Sequence, residues 1–390
     1  MTERPEQRAV LAGIGISRIG RRTGTPGIDL TGEASAAAIA DAGLRPADID
    51  GVASLGDTPV AEAASALGIQ PTYTGGGTSG GGLLAPVMDA CTTVGEGRAR
   101  HVLVYRTVQM IGGAVVPVGD APPPRANDEH HEALSVMGDM GPLIAHHAYS
   151  AANFLALHCQ RHMYLHGTTK EQLGWLAVSS RQKASLNPLA VRREPMTIDD
   201  YLAARLVSTP FGLYDCDVPV DGSIAFVVST ADHAPSCPQP PIRVAAMGGA
   251  PGARGGWVDR PDYPKMASAD AAATMWSRTD LRPGDVDVAE LYDGFTFLTF
   301  AWLEALGFCA DGEAGFFVEG GTRIALDGEL PLNTYGGQLS AGRMHGYWVL
   351  HEACLQLRGQ AGERQVPGAP EVAAVSNGGG PIAGCMLVTR

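Results

Sequence analysis

The heptapeptide LRPADID at 44–50 recurs as LRPGDVD at 281–287, 237 residues further along the chain. Each copy follows an alanine-rich helical pattern, GEASAAAIADAG before the first and ASADAAATMWSRTD before the second. Each also precedes a strand-like stretch, GVASLG in one case and VAELYDGF in the other. A weaker echo pairs GGGTSGGGLLAPVMDAC (75–91) with GGQLSAGRMHGYWVLHEAC (336–354), in both of which a glycine-rich turn leads into a helix ending acid-Ala-Cys. Two matches in the same order predict a duplicated α/β unit. The alternative is that helix, Pro, acid and strand form a common connection shared by two unrelated units.

Duplication divides the chain into residues 1–240 and 241–390. The first half is longer, and its excess lies at about 111–210. That insertion opens with a polar loop, GGAVVPVGDAPPPRANDEHHE, and continues with helical patterns in AHHAYSAANFLALHCQRHMYLHG and TTKEQLGWLAVSSRQKASL. Thr168 and Thr169 suit a helix N-cap and Gly167 a C-cap. Two strand patterns, PEVAAVS and AGCMLVTR, close the chain around NGGGPI, a hairpin whose backbone amides can face a cavity.

No apolar run approaches the roughly 20 residues of a membrane span, and MTERPEQRAVLAG lacks a signal-peptide core, so a soluble, cytoplasmic protein is expected. A net charge of −13 argues against a nucleic-acid partner. The seven cysteines include no CxxC pair and are expected to be buried thiols rather than zinc ligands or disulfides. His158 and His162 are one helical turn apart, but without an HExxH-type carboxylate they read as packing residues and no metal is expected.

TGGGTSGGG (74–82) precedes a helix yet lacks the lysine of a P-loop and the spacing of a dinucleotide fingerprint. ELYDGFTF (290–297) places Tyr292 and Asp293 at the end of an apolar strand, the edge where α/β ligands bind. A buried tyrosine beside a helix-capping aspartate is the simpler account of that pair alone. If the halves are duplicated, this turn and the NTYGGQLSAGRMHGYW turn (333–348) could converge on one pocket.

Taken in order, AVLAGIGISRIG, HMYLHGTTKEQLGWLAVSSRQKASLNPLA, VPVDGSIAFVVSTADHA, ELYDGF, NTYGGQLSAG and GGGPIAGC resemble the thiolase superfamily, in its sterol-carrier-protein-thiolase-like branch. The resemblance implies two βαβαβαββ halves in a five-layered αβαβα body, a loop domain inserted in the first half, and a homodimer. The thiolase residues themselves are missing. The nucleophilic Cys of the C-x-S-G turn falls on Gly77 or Thr78, and the Asn or His of the strand-end motif is Tyr292. The base of G-H-P is Arg343, with His345 and Tyr347 close behind, and the second Cys is Ser376.

Without a thiol the covalent route of Claisen cleavage is closed, whereas a retro-aldol cleavage needs no nucleophile. ELYDGFTFLTF and GGQLSAGRMHGYWVLHEACLQLRG look like the steroid side-chain-cleaving aldolases of actinobacteria. That likeness implies cleavage of a β-hydroxyacyl-CoA, a 17-hydroxy steroid C22 carboxyl-CoA, to a 17-keto steroid and propionyl-CoA. It implies Tyr292 and Tyr347 as the acid/base pair, in either order, with Asp293 and His345 as supporting or polarising groups. Arg343, Gly337, Gly379, Gly380, Thr78 and Ser79 would bind substrate or CoA, and CoA enters as part of the substrate rather than as a cofactor. A small OB-fold, zinc-ribbon partner would complete an α2β2 complex. Two other functions remain open: a non-catalytic acyl-CoA or lipid-binding scaffold, and a Cys-independent acyltransferase acting through Thr78 or Ser79.

Overall fold

The computed structural model describes residues 4–56, 58–78, 80–109, 146–148, 150–250, 257–258 and 260–390. Ser79, His130, His131 and the opening loop of the insertion lie outside them. Nine strands form one hydrogen-bonded mixed sheet. In chain order they are β1 (Ala9–Ile16), β2 (Gly51–Ser54), β3 (Tyr73–Gly76), β4 (His101–Gln109), β7 (Asp221–Thr230), β8 (Ile242–Gly249), β9 (Val288–Glu290), β10 (Val372–Gly379) and β11 (Ile382–Thr389). A separate pair, β5 (Leu206–Ser208) and β6 (Phe211–Gly212), makes a small ribbon.

The strand order β3-β2-β4-β7-β1-β8-β11-β10-β9 sets five strands from residues before 231 beside four from residues after 241. The two groups meet at β1 and β8 through only two residue pairs, Val10 with Arg243 and Leu11 with Ile242. The long strands are apolar on both faces, as strands covered on both sides must be. Along β4, Leu103 and Tyr105 join one apolar cluster while Val102 and Val104 join another, the period-2 signature of a sheet with a core on each side.

Helices α1 (Gly27–Asp41) and α2 (Val60–Leu67) cover the first group of strands. Helix α3 (Ala85–Gly95) shares the central cluster with residues of both groups and with a helix near the C-terminus described below. The insertion supplies α4 (Ala151–His166), α5 (Lys170–Ser185) and α6 (Ile198–Leu202). Then α7 (Ala267–Trp276), α8 (Thr296–Ala305) and α9 (Ala314–Val318) cover the second group, and α10 (Tyr347–Arg358) joins α3 in the central cluster.

The sequence repeats fall on matching structure. LRPADID and LRPGDVD each fold as a short 3-10 turn after α1 or α7 and before β2 or β9. In each the arginine backbone N–H donates to an aspartate three residues on, Arg45 to Asp48 at 2.9 Å and Arg282 to Asp285 at 2.7 Å. The helices that precede these turns press on their strands by the same device. A Cβ at Gly15 would lie 2.1 Å from the Ala34 carbonyl on α1, and one at Gly248 would lie 2.1 Å from the Ala271 carbonyl on α7.

Thr169 caps α5, its hydroxyl accepting from the Gln172 N–H at 3.2 Å, and Gly167 ends α4 in the left-handed conformation. Two local expectations need correction. TGGGTSGGG is not all turn, because Gly75 and Gly76 pair with β2 as an edge strand. NGGGPI is mostly strand, since Asn377, Gly378 and Gly379 stay paired with β11 and only Gly380 and Pro381 make the bend.

Candidate functional site

The site forms beyond the end of β9. Leu291 N–H donates to Asn333 Oδ1 at 2.7 Å and Tyr292 N–H to Ser376 Oγ at 3.0 Å, so ELYD is fixed between the NTYGG turn and β10. The carboxylate of Asp293 then receives the backbone N–H of Gln338 at 2.9 Å and of Leu339 at 3.4 Å. Gly337 has no substitute here, because its φ is +63° and an added Cβ would come within 1.9 Å of the Asp293 carboxylate. Residues Gly337–Ala341 form a single π-helical turn, a form common at functional sites. Val218 N–H donates to the Gln338 carbonyl at 2.9 Å, and Arg343 N–H to the Val218 carbonyl at 2.9 Å, which clamps the turn from its other side.

Tyr292 is 7% exposed, and burial with the neighbouring Asp217 pushes its phenol up. Arg343, facing Asp217 at 3.4 Å, works in the opposite direction on both groups. Asp217 was invisible to the sequence reading, since an acid before VPVDG carries no spacing signal. Burial pushes its carboxyl up to about 7 and that of Asp293 up to about 6. Both polar atoms of the Gln338 carboxamide are buried beside Tyr292 and Asp293.

Past Arg343 the chain reverses at His345 (φ +51°) and Gly346 (φ +87°). A Cβ at Gly346 would stand 2.9 Å from Asn377 Cβ and 3.7 Å from a ring carbon of Tyr292, so the first tyrosine packs on the residue before the second. Tyr347 opens α10, fully buried against Phe226, and its hydroxyl has no hydrogen-bond partner among the described residues. Burial pushes this phenol up, and the Arg106 guanidinium pulls against that. Arg106, the one charged residue between the ends of the apolar strand HVLVYRTVQ, donates from Nε to His345 Nδ1 at 3.1 Å. A buried cation inside an apolar strand was the sequence signal for it, and it was missed.

The other candidates are less closely joined to the tyrosines. Thr78 follows β3 and is partly buried. Two amides of the turn that leads into α3 are already taken, because Asn377 Oδ1 accepts from Leu83 N–H at 2.6 Å and Leu84 N–H at 3.2 Å. Gly379 is paired in the hairpin with Ile382, and the Gly380 N–H faces the Met266 sulfur at 3.0 Å. His158 and His162 are buried and bonded, His158 to the Phe154 carbonyl and His162 to Glu304 at 3.0 Å. His162 and His166 line a cavity of about 430 Å³ among α4, α7 and α8, which neither tyrosine lines. No group of three metal-ligating side chains occurs among the described residues.

All seven cysteines are free; four are buried, and Cys216, Cys237 and Cys309 are partly exposed rather than buried as expected. Burial pushes every one of their thiols up, so none is poised as a thiolate. What the arrangement offers is phenols, carboxyls and a guanidinium held by glycine turns, a set suited to moving protons without a covalent intermediate.

Residues 255–388 match the family model described as thiolase C-terminal domain-like. The chain is 33% identical to a 17-hydroxy-3-oxo-4-pregnene-20-carboxyl-CoA lyase of Mycobacterium tuberculosis, covering 97% of this chain and 99% of that one. It is 32% identical to a steroid side-chain-cleaving aldolase of Thermomonospora curvata, covering 97% of each. Among solved structures it superposes on an Ltp2-ChsH2(DUF35) aldolase with a TM-score of 0.87, at 29% identity and over 98% of both chains.

Proposed function

The chain belongs to the thiolase-like family of the SCP2-thiolase type, and we propose that it is a carbon–carbon lyase that cleaves a β-hydroxyacyl-CoA by retro-aldol chemistry. The substrate we propose is a 17-hydroxy steroid C22 carboxyl-CoA, split to a 17-keto steroid and propionyl-CoA in sterol side-chain degradation. Relatives named as steroid-CoA lyase and side-chain-cleaving aldolase over nearly the full length support it. The observation that carries it is the packing of Tyr292 on Gly346, next to Tyr347, in a turn with no thiol.

In this reading a base removes the proton of the 17-hydroxyl, and the electron pair of that O–H bond becomes the new ketone. The bond between the α and β carbons breaks, its electrons pass to the α carbon and the thioester oxygen, and an acid returns a proton to the α carbon. Two phenols can fill these roles if their surroundings drive them apart. Burial raises both phenols, and a cation opposes it at each, Arg343 at Tyr292 and Arg106 at Tyr347. The two phenols are read as the acid and base of this step, with Asp293 holding the turn. The acyltransferase reading is weakened by Asn377, which occupies the Leu83 and Leu84 amides, donors that could otherwise serve a tetrahedral oxyanion near Thr78.

The matched structure is of an aldolase with a DUF35 chain, which supports a small OB-fold, zinc-ribbon partner on a homodimer, an α2β2 enzyme with halves 1–240 and 241–390. A cytoplasmic location fits a CoA-dependent reaction, and no described helix is long and apolar enough to cross a membrane. The test is co-expression with a DUF35 partner and mass spectrometry of products from 17-hydroxy-3-oxo-4-pregnene-20-carboxyl-CoA. Propionyl-CoA and the 17-ketone are expected, with Tyr292→Phe and Tyr347→Phe folded but slower by orders of magnitude. Thioester binding without either product would point instead to a scaffold subunit.

A further inference from the structure

We propose that Arg106 is the positioning residue of the Gly342–Tyr347 turn: by donating to Nδ1 of His345 it fixes the imidazole as the neutral tautomer protonated on Nε2, and that N–H is the donor offered to the thioester oxygen. This rests on the retro-aldol reading for its chemistry, but its structural content stands apart from it.

A guanidinium has five N–H donors and no acceptor. The Arg106 Nε–His345 Nδ1 contact of 3.1 Å, with Nη2 also in reach, therefore requires a lone pair on Nδ1 and a hydrogen on Nε2. Arg106 is itself held in place, since it lies in the middle of β4, is 8% exposed and gives its Nη1 to the Leu55 carbonyl. Among the described residues no hydrogen bond uses His345 Nε2, and the residue is only partly buried. Protonating Nδ1 would set two N–H groups and two positive charges against each other. Burial, then Arg106, then Arg343 accordingly push the imidazole down to about 2.

Among the described residues, the titratable and charged groups around His345 come from three elements and the turn itself. They are Arg106 on β4, Tyr347 at the start of α10, Tyr292 beyond Gly346 at the end of β9, and Arg343 in the turn. Two of these four are permanent cations, and none is a carboxylate that would recruit a second proton. His345 is therefore excluded as a general base through Nδ1 and as an imidazolium acid, and its one available role is that of a neutral donor. Its φ of +51° supports the same view, because a non-glycine residue in the left-handed region is a cost usually met at functional turns. Removing a donor of this kind typically lowers kcat by about 10²–10³-fold.

The experiment is nitrogen NMR on protein labelled with 15N-histidine, in the complex with its partner, with His345→Gln used to assign the signal. In the wild type, Nδ1 is expected unprotonated and Nε2 protonated, with no change from pH 5.5 to 8. In Arg106→Met the imidazole is expected to exchange between tautomers and to titrate toward its ordinary value of about 6.5, while kcat falls with little change in KM. Arg106→Lys, whose donors all sit on one nitrogen at the end of a flexible stem, should restore the tautomer in part. The proposal is overturned by a wild-type Nδ1 that carries a proton in that range, a measurement that needs no variant to fold. It is overturned equally by Arg106→Met leaving both shifts unchanged. A fixed Nε2–H tautomer in a protein that cleaves no steroid thioester would sink the retro-aldol reading and leave the positioning by Arg106 intact.

Discussion

The Asp293 carboxylate accepts the Gln338 backbone N–H at 2.9 Å, so the strand-end turn grips the glycine-rich turn by its main chain. Asp293→Ala strands two buried N–H groups, a loss of about 1–3 kcal/mol each when unmade, and frees the turn that carries Arg343 and His345. We expect a lower urea midpoint together with at least a tenfold loss of turnover. Asp293→Asn retains one accepting oxygen and should fall between the two. Equal midpoints for Asp293→Ala and wild type would show that the contact does not hold the turn.

Asp217 gives the site a pH signature. Its carboxyl is pushed up to about 7 by burial, against the pull of Arg343, whereas an unfolded chain titrates it near 3.9. The folded state thus binds the proton more tightly, so this group's contribution is fully present below about pH 4 and is lost as pH rises toward 7. Asp293 follows the same sign to about 6. Asp217→Asn should therefore flatten the upper part of the decline, between pH 6 and 7, in urea midpoints measured across pH 4–8. Arg343→Met, which removes the opposing charge, should extend the decline to higher pH. An unchanged profile in Asp217→Asn would mean that the carboxyl is already ionised below pH 6.

These two residues mark where the sequence stops being legible. The repeat LRPADID/LRPGDVD located matching turns because local capping by Asp48 and Asp285 is written within three residues. Tyr292, Asp293 and the 333–348 turn were found for the same reason, since glycine and strand-end patterns are local. Asp217 and Arg106 act through contacts with Arg343 and His345, 126 and 239 residues away; the cation within an apolar strand marks Arg106 itself, but no local pattern announces either pairing. The single nine-stranded sheet was likewise hidden, because the β1–β8 junction depends on two residue pairs between segments more than 200 residues apart.

The paired close approaches of helix to strand can be tested by filling them. A methyl group at Gly15 would meet Ala34 O at 2.1 Å and Ala38 N at 2.5 Å, and one at Gly248 would meet Ala271 O at 2.1 Å and Met275 N at 2.5 Å. The obstacles are backbone, so the helix must move as a body, and overpacking of this kind costs about 1–3 kcal/mol or more. Gly15→Ala and Gly248→Ala should both lower the thermal midpoint by several degrees. Gly284→Ala, with nothing within 4 Å and an ordinary φ, is the control expected to leave it unchanged or slightly higher. Tolerance at Gly248 with intolerance at Gly15 would break the equivalence of the two layers.

Asn377 is the sharpest test of how the start of α3 is occupied, because its two ends do different work. Oδ1 accepts from Leu83 and Leu84, while Nδ2 donates to the Gly384 carbonyl at 3.0 Å. Asn377→Ala leaves two buried amides and one carbonyl unmet and should be destabilised at every pH, with no slope of its own. Asn377→Asp keeps the acceptor that a helix N-terminus favours, yet turns a second carboxylate oxygen toward the Gly384 carbonyl. Protonation of that oxygen restores a donor, so the folded-state pKa of the new acid should be raised above 3.9. Its stabilisation would then be complete in acid and be lost as pH rises through the folded value. Asn377→Asp should consequently approach wild-type stability near pH 4 and diverge from it toward pH 8, whereas Asn377→Ala runs parallel to wild type throughout. Parallel curves for all three proteins would mean that the Nδ2 contact contributes nothing and that residue 377 is held by its oxygen alone.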